Sequence, residues 1–126
     1  MGWVLTYDWA RSQAQAWCDA WNRRDLDAVM SHYADDVRVC SPLVKKRFPN
    51  SDGWLRGVPA LRAYFEIGMT NAALQFTFED VRLGHNATTV LYLRESGMRV
   101  SDTIVFNAAG QIEQMIACYS EDRVNV

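Results

Sequence analysis

The sequence predicts an α+β domain, with three N-terminal helices packed on one face of a curved antiparallel sheet. Apolar residues recur at helical spacing in the first half of the chain. After Asn71 the period changes to two and stays there. The turn signals Gly84-His85-Asn86, Ser96-Gly97 and Ala108-Ala109-Gly110 then cut the second half into a strand meander. With 126 residues the chain is long enough for one core and too short for two, so residues 1–126 are expected to form a single domain.

Ala10, Ala14, Trp17, Cys18 and Trp21 mark a first helix from about Thr6 to Arg23. Asp25 caps a second, whose apolar face is Leu26, Val29, Met30 and Tyr33 and which closes in a solvated turn at Asp35-Asp36. Val37-Arg38-Val39-Cys40-Ser41 reads as a strand stopped by Pro42. From Pro42 to Gly57 no period is visible, which suggests a long loop, a lid or a mobile segment. Pro59 suits the first turn of a third helix with Leu61, Tyr64, Phe65 and Gly68 or Met69 facing inward. Strands are expected at about 74–84, 88–95, 99–107 and 111–119.

A net charge of -2 offers no basic footprint, which argues against nucleic acid as a partner. Cys18, Cys40 and Cys118 are odd in number and lie in apolar stretches, as small core thiols in a reducing compartment do. Trp3-Val4-Leu5 is too short for a signal peptide and no stretch reaches the length of a membrane span, so the expectation is a soluble, cytoplasmic protein with no membrane partner. No zinc-binding spacing and no glycine-rich phosphate loop occurs, and neither a metal nor a cofactor is expected.

Asp102 is the residue that points to chemistry. In Val100-Ser101-Asp102-Thr103-Ile104-Val105-Phe106, alternation puts it on the face of Val100, Ile104 and Phe106. A carboxyl aimed at a core either finds partners or keeps its proton near neutral pH, and a raised carboxyl pKa is what acid/base chemistry at pH 7 uses. The alternative is a buried Asp satisfied by backbone N–H groups or a hydroxyl, with no catalytic role.

The order of elements, with Asn22-Arg23-Arg24-Asp25-Leu26-Asp27, Tyr33-Ala34-Asp35-Asp36-Val37, Leu55-Arg56-Gly57-Val58-Pro59-Ala60-Leu61-Arg62 and Phe106-Asn107-Ala108-Ala109-Gly110-Gln111-Ile112, resembles the nuclear transport factor 2-like superfamily from about Arg11 to Tyr119. The nearest branches are the SnoaL-like polyketide cyclases and the ketosteroid isomerases. The resemblance implies a cone-shaped domain with a deep apolar pocket and a homodimer. It also implies that Asp102 falls where the isomerases carry a protonated aspartic acid for a developing oxyanion. Ser41 falls at their general-base aspartate, and Trp17 at the tyrosine that completes their oxyanion site, so two of three isomerase residues differ. SnoaL-like cyclases, in which one inner-face acid moves a proton, look closer, with Asp102 in that role.

The resemblance puts Trp17, Tyr33 and Tyr119 around the cavity, and Met115 and Ala117 alternate with Tyr119 along the last strand; Ser41 would add a minor polar contact. His32 or His85 could assist Asp102, but neither is directed into a pocket by periodicity. Phe48 and Trp54 in the 42–57 segment suggest a lid or a dimer contact, while Lys45-Lys46-Arg47 reads mainly as a solvated run. Val90 and Tyr92 are expected on the sheet face opposite Asp102, where a second copy would cover them. The expected function is a cofactor-independent isomerase-, cyclase- or lyase-type enzyme acting on a small apolar carbonyl compound. The rival is a module of the same fold that binds a hydrophobic ligand or a protein without catalysis.

Overall fold

The computed structural model describes residues 3–121. Helix α1 spans Tyr7–Asn22; the Thr6 hydroxyl caps it by accepting from the Trp9 N–H at 3.1 Å. Arg24, at φ 57°, turns the chain out of the helix. Asp25 then caps the short α2, Leu26–Met30, by accepting from the Ala28 N–H at 3.0 Å. Strand β1 runs Tyr33–Cys40, α3 Pro42–Arg47, β2 Trp54–Arg56 and α4 Val58–Met69. Gly57 enters α4 at φ 87°, a left-handed conformation open to glycine. Strands β3 (Thr77–Gly84), β4 (Ala87–Leu93), β5 (Arg99–Phe106) and β6 (Ile112–Tyr119) complete the chain.

The α+β class holds, with helices packed on a sheet. That sheet has six strands in the order β2-β1-β6-β5-β4-β3. It is mixed, because β1 lies parallel to β6 while the other neighbours are antiparallel. Three further expectations need correction. Tyr33 opens β1 instead of closing α2, and Asp35-Asp36 lie exposed in the irregular stretch where the β1–β6 register shifts. The 42–57 segment is not structureless: Ser41 caps α3 by accepting from the Leu43 N–H at 3.1 Å, with Pro42 in the first turn, and Trp54–Arg56 pair with β1. Val90 and Tyr92 face inward with Asp102, since Val90 is the direct cross-strand partner of Asp102.

The core lies between α1, α4 and the inner sheet face and is strongly aromatic. Trp17 stacks on Phe76 with ring centroids 5.6 Å apart, and Trp21 meets Phe65 edge-on at 4.9 Å. Gly68 of α4 leaves room for that indole, because a Cβ there would meet Trp21 at 3.3 Å. On the outer sheet face, Leu91, Leu93, Val105 and Ile116 remain half-buried.

Candidate active site

Inward residues of β4, β5 and β6 converge around Asp102. Its cross-strand neighbours are Val90 and Ala117. Asp102 is 2% exposed. Its Oδ2 accepts a hydrogen bond from the Tyr92 hydroxyl at 3.0 Å, whereas Oδ1 is buried with no hydrogen-bond partner. No cation lies within 4.0 Å of it among the described residues. Burial pushes the carboxyl up to about 7, against the opposing pull of the Tyr92 hydroxyl and of Arg94. The same burial, with Asp102 nearby, holds the Tyr92 hydroxyl well above the ordinary tyrosine range. An acid in this state holds or gives up a proton near neutrality and has one oxygen without a hydrogen-bond partner.

Two cavities share Asp102 and Trp17 as a common wall. The larger, about 520 Å³ including its mouth, is lined by Ser41, Arg47, Tyr64, Arg94, Met115 and Tyr119 among others. The second, about 450 Å³, lies toward Trp9, Gln13, His32, Thr88, Ile104 and Phe106.

The structure brings Trp17, Ser41, Met115, Ala117 and Tyr119 together with Asp102 around the larger cleft. Ser41 Oγ lies 3.5 Å from the Tyr119 hydroxyl. Tyr33 does not join them: it is packed behind the wall, where its hydroxyl accepts from the Trp17 indole N–H at 2.9 Å and points at the Met115 sulfur at 3.7 Å. Tyr33 therefore fixes the Trp17 ring and offers no surface to the cleft. Phe48 packs near Tyr64, 6.4 Å between centroids, and Trp54 sits on the edge strand; neither is among the residues lining the two cavities. Arg47 is the residue of α3's basic end that reaches the cleft.

Sequence reasoning brought none of Tyr92, His32 and Arg94 into the site. His32 borders the second cavity, where burial lowers its pKa and favours the neutral imidazole. Arg94 follows the last residue of β4, is 7% exposed and lines the larger cleft. A charged residue beside Glu95 at the end of an expected strand gives no sign of a site; its burial distinguishes it. Among the described residues no cluster of His, Cys, Asp or Glu suits a metal, and no helix is long and apolar enough to cross a membrane.

Comparison with known proteins agrees with this fold. A family model described as a SnoaL-like domain matches residues 14–103. A SnoaL-like protein of unknown function from Burkholderia thailandensis E264 is 27% identical, with a TM-score of 0.87 over 92% of this chain and 98% of that one. A protein with a cystatin-like fold from Methylobium petroleophilum PM1 shares 12% identity at a TM-score of 0.74, covering 96% of this chain and 82% of its own. The epoxide hydrolase/cyclase-like enzyme SalBIII, which acts in pyran ring formation in the polyether salinomycin, shares 17% identity at a TM-score of 0.65, covering 90% and 92%. No curated protein matches.

Proposed function

The chain belongs to the SnoaL-like domain family, and from that premise we propose that it is a cofactor-independent acid/base enzyme acting on a small, largely apolar carbonyl compound. The observation that carries this reading is the buried, unpartnered Oδ1 of Asp102 on the wall of an open cleft. Native proteins rarely leave such an atom without a partner, and a ligand carbonyl or enol oxygen supplies one. With a carboxyl pKa near 7, the ionised form takes an α-proton, and the carboxylic acid so formed gives that proton back to the enolate at oxygen or carbon. Tyr92 holds the second oxygen and so fixes the orientation of the first. Trp17, Met115 and Tyr119 provide apolar walls, and Ser41 and the Tyr119 hydroxyl a minor polar contact. SalBIII, described as cyclase-like, supports ring closure as one reaction that this fold carries.

The test is deuterium exchange at the α-carbon of a bicyclic ketone such as 2-tetralone, followed by proton NMR in D2O. The parent protein is expected to exchange the α-protons above the buffer rate, and Asp102→Asn to return the rate to that of buffer. An Asp102→Asn variant that exchanges as fast as the parent overturns the assignment.

A further inference from the structure

We infer that the ligand of the larger cleft carries a carboxylate, received by Arg94 with Arg47 as a second cation toward α3, while its ring lies against the apolar wall and its carbonyl end meets Asp102. The argument begins with how Arg94 is left. Its side chain is 5% exposed, and its buried Nε has no hydrogen-bond partner. The anion within 4.0 Å is Glu95, whose Oε1 stands 3.7 Å from Nε, beyond hydrogen-bond reach, and already accepts from the Gln75 N–H at 3.3 Å. The guanidinium lies over the Phe76 ring, 5.5 Å from its centre, which orients the plane but supplies no acceptor.

A guanidinium buried without a matched acceptor is expensive unless a ligand completes it. Its planar fork fits a carboxylate bidentately. Arg47 shares the wall, its guanidinium carbon 5.0 Å from the centre of the Tyr64 ring. Asp102 is in the same cleft yet makes no ion pair with Arg94. The two groups thus stand as separate stations, one for an anion and one for a neutral oxygen.

This inference rests on the reading of the cleft as a substrate site, and calorimetric titration of the intact protein with 2-naphthoate and with its neutral analogue 2-naphthamide separates the two. In the parent protein 2-naphthoate is expected to bind roughly tenfold or more tightly than the amide, as a charge-assisted pair allows. Arg94→Met is expected to remove that preference and Arg94→Lys to retain part of it, with circular dichroism verifying that each variant is folded. Equal affinity of acid and amide in the parent overturns the anion inference and leaves the cleft standing as a site. If neither compound binds, both readings fall. The parent comparison decides the matter even if Arg94→Met does not fold.

Discussion

Replacing Asp102 by asparagine keeps the shape of the side chain and its acceptor for the Tyr92 hydroxyl, but removes the titrating proton. The carboxyl rises from its ordinary 3.8 to about 7 in the native state. A native value above the unfolded one means that the folded protein binds the proton more tightly. Stability contributed by the proton is then present below pH 3.8, is lost as pH rises through that value, and levels off above about 7. At about 1.4 kcal/mol per factor of ten, the gap corresponds to ~4 kcal/mol of destabilisation at neutral pH. The asparagine amide N–H2 inherits the place of the unpartnered Oδ1, and an unsatisfied buried donor returns ~1–3 kcal/mol of that gain. Asp102→Asn is therefore expected to be about 1–3 kcal/mol more stable than the parent at pH 7, with the advantage vanishing or reversing near pH 4. Urea unfolding of both proteins across that range measures it, and the difference between them cancels every other titrating group. A variant clearly less stable than the parent at pH 7 would mean that Asp102 is ionised and structurally paired, and the argument for a neutral acid would be refuted.

Tyr33→Phe strips the acceptor from the buried Trp17 indole N–H, so it should cost about 1–3 kcal/mol in urea unfolding; because Tyr33 lies off the cleft wall, ligand affinity should change little, and an affinity loss exceeding the stability loss would return Tyr33 to the site. For assembly we propose a homodimer over the outer sheet face, now on Leu91, Val105 and Ile116 in place of Val90 and Tyr92. Light scattering should report twice the chain mass, and Ile116→Glu should yield a monomer; a monomeric parent at tens of micromolar, on the order of typical assay concentrations, would end the idea. Burial pushes the Cys18 thiol up to about 12, whereas Cys118 is exposed, so a thiol reagent at mildly alkaline pH should label Cys118 and leave Cys18 intact until the protein unfolds. Rapid labelling of native Cys18 would show that α1 opens readily.

Long periodic segments carried most of the fold in the sequence. The α1 stripe Ala10, Ala14, Trp17, Trp21 and the alternation in β4, β5 and β6 place those elements within a residue or two of their observed ends. The missed elements α3 and β2, of six and three residues, are too short for a period to register, and their formation depends on the Ser41 cap and on pairing with β1. Asp102 was legible because alternation identifies a face. The facing of Val90 was misjudged because the register across the Gly97 turn, which pairs Val90 with Asp102, is tertiary information. Arg94 was illegible for a related reason: a charged residue at a strand end looks solvated until the fold closes over it.

The direct measure of the central claim is the titration of the Asp102 carboxyl carbon by carbon-13 NMR, identified by its loss in Asp102→Asn and repeated with 2-naphthamide bound. A neutral acid facing an open cleft predicts a midpoint near 7 that moves when the ligand engages Oδ1. A midpoint near the ~3.9 of a free aspartate, unmoved by ligand, would contradict both the protonated state and the site.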